Sequence, residues 1–425
     1  MNRKTAPSIK DAIDYKLELK PYEHYSLDNG IPVYSINAGA QDVLQVEMVF
    51  YAGNFFEQQK GIAAATNFLL KNGTVNRTAF QINEAFEYYG AYCNRACYNE
   101  TAVITLHTLA KHLEKLFPVM QDMFTNSIFP EQELDIYLQN SRQRLKVNLQ
   151  KAEFVAGRLI DSYLFGEKHP YGTYTNLEDL DKLNIEDIKK FYQQYYLNGQ
   201  VALFVAGKIP ATLPTLLNEY FGKLTVSKPG NSLPGIKTTP ATEKKYRIQN
   251  DAEAVQGAIR IASNFPNRHH PDFKKAIVLN NVFGGFFGSR LMSNIREEKG
   301  YTYGIHSYLQ NHMQQSAWMI STDAGKDVCE PTIDEVYKEM KRLREELIGE
   351  EELLLVRNFM IGGLLGDLDG PFQVIAKWKN IILNNLGESY FYDSIDVIKT
   401  ISAVELQQVA NKYLQPENFY ELVVY

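Results

Sequence analysis

Cysteine is scarce in this chain. Cys93, Cys97 and Cys329 are the only three in 425 residues, which excludes a disulfide framework. Cys93 and Cys97 sit in YCNRACYNETAVI, which reads as a strand with both thiols on one side, and no further ligands are spaced to make a zinc site with them. Positive charge is not in excess: 44 Lys and Arg stand against 50 Asp and Glu, a net charge of −6. That excludes the electrostatic footprint of a nucleic-acid or anionic-membrane binder. No apolar run approaches the roughly 20 residues of a membrane span. The first twenty residues carry charge with no apolar core behind it, so no secretory leader is expected, and the expected location is cytoplasmic. Histidines are few as well. His107 with His112, His269 with His270, and His306 with His312 are the nearest pairs, and none has a carboxylate or second histidine at metal spacing on an evident helix.

What is present is ordinary globular composition, 45% hydrophobic and 22% charged, long enough for two or more domains. One stretch organises the rest: Gly288–Ser307, GSRLMSNIREEKGYTYGIHS. Leu291, Met292 and Ile295 make a helical apolar stripe, and Gly300 stands where a left-handed glycine ends a helix. Tyr301, Tyr303 and Ile305 then alternate as a strand. Arg296 in the last helical turn and Tyr303 on the strand are thus placed to reach one spot. A guanidinium and a phenol together can hold a carbonyl oxygen, or an oxyanion formed from it. The glycines of Phe283–Gly288 lack the Lys-Ser/Thr ending of a phosphate loop and the spacing of a dinucleotide turn.

The rest of the chain reads as alternating strands and helices. Leu27–Gly30 is a turn, Leu44 to Phe50 a half-buried strand, Gly61–Leu70 a helix, and Thr78 with Gln81 a capping box. Helical spacing from Leu113 to Phe124 includes Pro118, which is expected at a kink or boundary. Pro130 opens a long helix, Val201–Ala206 is an apolar strand, and a long helix is expected from Glu350. Ser402 with Glu405 is a second capping box. Ser227–Pro240 holds three prolines and two glycines and reads as a linker. Lys182–Gly207 and Lys399–Tyr425 share one pattern of helix, aromatic-Leu, polar turn and apolar strand, about 217 residues apart. A period that long means a duplicated domain. The expected division is 1–228, a linker at 229–240, and 241–425. The expected class is α+β, two homologous domains, each an antiparallel-rich sheet with helices on one face.

SRLMSNIREEKGYTYG, with the preceding FGGFFG, resembles the second-domain signature of the insulinase (pitrilysin) peptidase family, in the branch with mitochondrial processing peptidase. The resemblance implies that Arg296 and Tyr303 contact substrate. It also implies a first-domain zinc motif, H-x-x-E-H, in the stretch GIAAATNFLLKNGT, Gly61–Thr74. Gly61, Ala63, Gly73 and Thr74 match the flanks of that motif, but its chemistry is gone. Ala64 and Phe68 stand for the histidines, Asn67 for the glutamate base, and Leu145 for the third ligand. None of these side chains can ligate zinc as the family does, and an amide cannot act as the base. Gly90–Ile104 is similar to the family's peptide-pairing edge strand. Asn94 matches, whereas Arg95 replaces a usual alanine and Cys97 a usual threonine or serine.

The expectation is therefore a zinc-less, non-catalytic subunit of a two-chain zinc peptidase. No metal or cofactor is expected on this chain, zinc is expected on a homologous partner, and the substrate is a peptide. The alternatives are a structural or assembly subunit like the family's respiratory-chain core proteins, and a peptide-binding homodimer. Neither nucleic acid nor membrane is expected as a partner.

Overall fold

In the computed structural model the described residues are 11–226, 230 and 233–425. Chain contacts divide them into two compact units. The first holds residues 20–242 and 370–380. The second holds the described residues 11–19, with 243–369 and 381–425. Each unit thus takes in a short piece from the other half of the sequence. Residues 229, 231 and 232 of the expected linker lie outside the described residues, and the described part from 233 to 240 carries no helix or strand.

The strands of the first unit are β1 (Glu23–Ser26), β2 (Pro32–Asn37), β3 (Val43–Phe50), β4 (Tyr92–Cys97), β5 (Ala102–Leu109) and β6 (Val201–Gly207). Its helices are α1 (Ile62–Leu69), α2 (Ala79–Tyr88), α3 (Leu113–Thr125), α4 (Glu131–Leu149), α5 (Ala152–Phe165), α6 (Leu177–Asp181), α7 (Ile185–Tyr192) and α8 (Leu213–Phe221). The second unit has β7 (Lys245–Ile248), β8 (Gln256–Phe265), β9 (Thr302–Asn311), β10 (Ser316–Gly325) and β11 (Tyr420–Val424). Its helices are α9 (Asp272–Asn280), α10 (Cys329–Glu345), α11 (Glu350–Gly366), α12 (Pro371–Leu383, begun in the first unit), α13 (Ser389–Thr400) and α14 (Ala403–Tyr413).

The sheets run β1-β2-β6-β3-β5-β4 and β7-β11-β8-β10-β9. Without β1 the two orders superimpose. β6 lies parallel to β2 and antiparallel to β3, as β11 lies parallel to β7 and antiparallel to β8. The repeated sequence pattern α7–β6 and α14–β11 therefore occupies the same place twice. Both outer edges are built alike as well. Gly90 (φ 60°) leads into β4 and Gly300 (φ 66°) into β9, and a β-carbon would meet nothing within 4 Å at either one. Only the left-handed backbone demands glycine there.

Period-2 alternation explains the layers of the first unit. Leu44, Val46, Met48 and Phe50 face the helices and join one core with Ile104, Leu106, Leu203, Phe86 and Phe117. Each such side chain contributes about 1.5–3 kcal/mol by leaving water. Gln45 and Glu47 point to the opposite face, and residues 370–380 pack there. The Lys379 ammonium meets the buried Glu47 carboxylate at 2.6 Å, and the Trp378 indole donates to the Lys20 carbonyl at 2.8 Å.

Both capping boxes form as expected, at Thr78/Gln81 and Ser402/Glu405. One expectation narrows: Pro118 does not mark a boundary, because α3 continues through it. The long helix expected from Glu350 forms as α11 and ends at Gly366, and α12 begins at Pro371 after Gly370 turns left-handed (φ 94°).

The Glu47 carboxylate is 5% exposed, so removing its cation leaves a buried charge without its ammonium partner. Lys379→Ala should cost about 2–3 kcal/mol in chemical denaturation, and the double variant Lys379→Met with Glu47→Leu should recover most of it. An unchanged midpoint for Lys379→Ala would show that the 370–380 segment does not support the first unit.

Candidate functional site

Residues 290–298 form the helical turn that carries Arg296, and 292–298 are wound wider than an α-helix. Lys299 N bonds back to Asn294 O at 3.0 Å, five residues earlier. Such π turns are uncommon and gather at functional sites. The turn is fixed from both sides. Arg290 makes a two-pronged ion pair with Glu352 of α11 at 2.8 and 2.9 Å, and Asn294 donates to Glu335 and Glu339 of α10 at 3.1 and 2.8 Å.

After Gly300 the chain enters β9, an edge strand tied inward through Ser307. The buried Trp318 indole donates to Ser307 Oγ (2.9 Å), which donates to Asn280 Oδ1 (2.7 Å), while Asn280 Nδ2 donates to the Ser307 carbonyl (2.9 Å). Gly284 backs onto the same spot. A β-carbon there would lie 2.7 Å from Ser307 Cβ, so a glycine of the Phe283–Gly288 run serves close packing.

Arg296 and Tyr303 come together. The Arg296 Nε donates to the Tyr303 carbonyl at 2.8 Å. Its guanidinium lies 4.7 Å from the Phe287 ring centroid and 5.7 Å from that of Tyr303, and Glu297 approaches Nη1 at 3.8 Å. Tyr303 is 93% exposed, and among the described residues its hydroxyl has no hydrogen-bond partner. The arginine is thus held by its neighbours while the phenol is free for a ligand. Phe287, which shapes the guanidinium position, was missed in the sequence reading. Its signal was its place beside the glycine run.

The stretch expected to hold the degenerate metal motif, 61–74, contains α1. Asn67 is 2% exposed and donates to the Tyr196 hydroxyl at 3.2 Å, so its amide is committed to the core. Phe68 lies 41% exposed against the Tyr137 ring of α4 (5.1 Å). Ala64 is half-buried, and Leu145, also on α4, packs on the hydrophobic core. These side chains do not fit zinc. Among the described residues no group of three His, Cys, Asp or Glu is placed to hold a metal. Asn94 is exposed on the edge strand β4, opposite in phase to the buried Cys93. Arg95, on the phase of Cys93, reaches the end of α1. It donates through Nη1 to the Phe68 carbonyl and to Asn72 Oδ1 (3.1 Å), with its guanidinium 4.6 Å from the Phe68 ring centroid.

Glu57 caps the other end of α1. Its Oε2 accepts from Gly61 N (3.1 Å) and Ala63 N (3.3 Å). Burial pushes its pKa up to about 7, outweighing the two backbone donors and Lys60. The Cys97 thiol nearby is pushed up to about 12 by burial and by Glu57.

Comparison with known proteins covers most of the chain. The family profile described as Insulinase (Peptidase family M16) matches residues 33–169, and the one described as Peptidase M16 inactive domain matches 182–360. The uncharacterized zinc protease YmxG of Bacillus subtilis is 23% identical over 393 residues, spanning 91% of this chain and 93% of that one. A solved peptidase M16 inactive domain from Pseudomonas fluorescens superimposes with a TM-score of 0.83 at 20% identity, over 95% of this chain and 98% of that one. A protease from Helicobacter pylori gives 0.84 at 17% identity, over 95% and 99%.

Two outcomes follow for this site. Metal analysis of protein purified without chelator should find no stoichiometric zinc, and about one tightly held zinc per chain would overturn this reading of α1. The second concerns pH. The folded chain holds a proton on Glu57 up to about pH 7, whereas the unfolded chain releases it near 4.5. The stability from that proton is full below 4.5 and is lost as pH rises toward 7. Glu57→Gln should flatten this fall in denaturation curves measured from pH 5 to 8, and should be more stable than the parent at pH 8.

Proposed function

The chain belongs to the insulinase (M16) family of peptidases, and on that premise we propose that it is the zinc-less subunit of a two-chain zinc metallopeptidase. A homologous partner with an intact H-x-x-E-H motif supplies zinc and base. This chain supplies substrate contacts from its second unit. One contrast carries the reading: Ala64, Asn67, Phe68 and Leu145 have no metal chemistry in a first unit whose fold is otherwise complete, while Arg296 and Tyr303 stand together beside an edge strand with the phenol exposed.

The chemistry of the pair follows from its donors. A peptide carbonyl gains negative charge when its carbon is attacked. A guanidinium and a phenol aimed at that oxygen stabilise the charged form more than the neutral one. Arg296 keeps Nη2 for this, and Nη1 apart from the loose 3.8 Å approach of Glu297, after spending Nε on the Tyr303 carbonyl. Peptides or unfolded segments suit such a site, because an extended backbone can lie along a sheet edge. A cytoplasmic setting belongs to the same proposal. It is supported by three cysteines that all remain free thiols. Among the described residues no helix is long and apolar enough to cross a membrane.

The test is reconstitution with the zinc-bearing homologue. Alone, the chain should not hydrolyse a quenched peptide. Mixed with its partner it should, with activity saturating near equal amounts. Arg296→Ala and Tyr303→Phe should each lower turnover by ~10²–10³, the range for loss of an oxyanion donor. Melting temperature should hardly move for Tyr303→Phe, whose side chain is exposed, and should fall only modestly for Arg296→Ala, which also removes the bond to the Tyr303 carbonyl. Full activity in both variants would favour a structural or assembly subunit. Chelator-sensitive cleavage by the pure chain would overturn the proposal.

A further inference from the structure

We propose that the first unit binds a peptide carboxylate, either a C-terminus or an acidic side chain, through the Arg95 guanidinium beside the open edge of β4. The inference rests on the reading of this chain as a peptide-binding family member and adds what it would select.

Three observations carry it. The first is placement. β4 closes one side of its sheet, pairing with β5 alone, so its outer backbone groups are open to an added strand. Arg95 lies in the middle of that strand, and its side chain ends on Phe68, beside the open edge. The second is fixation. The Phe68 ring, the Phe68 carbonyl at the end of α1, and Asn72 hold the guanidinium on three sides. Asn72 is itself held, since its amide donates to Glu133 at 2.7 Å. A guanidinium fixed in advance loses little freedom when a carboxylate arrives.

The third observation is incompleteness. Both bonds of Arg95 use Nη1, and among the described residues Nε and Nη2 make no hydrogen bond, on a residue that is only half-buried. Among the described residues no carboxylate comes within 4.0 Å of the group; Glu133 reaches only the far end of the Asn72 amide. Burial also strips water from this cation, and its pKa is lowered by that desolvation. A partly dry guanidinium with an open Nε/Nη2 edge matches the two oxygens of a carboxylate. A helix-capping role accounts for the bond to the Phe68 carbonyl but leaves that edge unused.

The experiment uses the full chain and short peptides of randomised sequence, made as C-terminal acids and as C-terminal amides. Binding is read by fluorescence anisotropy. The acid set should bind at least about tenfold more tightly than the amide set, the scale of one charge-assisted pair. Arg95→Gln should remove that difference without weakening amide binding, and Arg95→Lys should restore part of it. A third set, amides with one internal glutamate or glutamine, separates the two carboxylate sources. A glutamate preference means side-chain recognition, and its absence with an acid preference means C-terminal recognition. A purely structural Arg95 would move the melting temperature and leave the acid-to-amide ratio intact. Equal binding of acid and amide by the parent chain overturns this inference alone, as does a preference that survives in Arg95→Gln. Failure of both sets to bind overturns it together with the peptide-binding premise. The turnover assay on Arg296 and Tyr303 reads a different unit and is unaffected by either result.

Discussion

The buried hydrogen-bonded chain of Trp318, Ser307 and Asn280 sets the geometry of the second unit. Each member is under 10% exposed, so each would cost free energy if left unpaired. These bonds lock the register of β9 against α9, and Gly284, just past the end of α9, lets the two come close enough for the lock to close. With β9 fixed, the carbonyl of Tyr303 is fixed, and Arg296 bonds to that carbonyl. The half-buried arginine and the exposed tyrosine thus inherit their positions from buried groups. Arg290 and Asn294 complete the frame by anchoring the wide helical turn to α11 and α10.

The two units present the same device with different chemistry. In each, a helix gives way to a left-handed glycine and then to an edge strand. In the second unit that edge carries a tyrosine and meets an arginine from the preceding turn. In the first unit the edge carries its own arginine, which reaches the helix where the family's metal motif would stand. Asn67 has been drawn into the core by Tyr196, while Phe68 supplies a ring for a cation to lie on. A positive charge is thus held at the end of α1, on the helix that carries Asn67 and Phe68.

Much of this was legible in the sequence because it rests on local rules. Capping boxes, period-2 strands, the turn at Gly30 and the left-handed Gly300 depend on neighbours a few residues away. The duplication was legible because α7–β6 and α14–β11 kept matching patterns. Other features depend on distant partners. Arg95 stood out only as a departure from a family pattern, and its stacking on Phe68 needs α1 and β4 side by side. Phe287 could not be told from the other aromatics of its run, Phe283, which is fully buried, and Phe286, which stacks on Phe359. The π winding of 292–298 has no spacing signature separate from an α-helix over two turns. That α3 has no boundary at Pro118 depends on its tertiary packing, where Leu116, Phe117, Val119 and Met120 are all buried.

The exchange of segments between the units also constrains how the chain is made. A ribosome releases residues in order, and the first unit has all of its strands by β6. Yet the face that shows Gln45 and Glu47 waits for residues 370–380. At about 5–20 residues per second that wait is roughly ten seconds or more. During this time the nascent first unit has Glu47 without its ammonium partner and one side of its sheet without the segment that packs there. The second unit waits longer still, because β11 (Tyr420–Val424) is an inner strand of its sheet, so the first unit is the part open to chaperones and proteases while the rest of the chain is made.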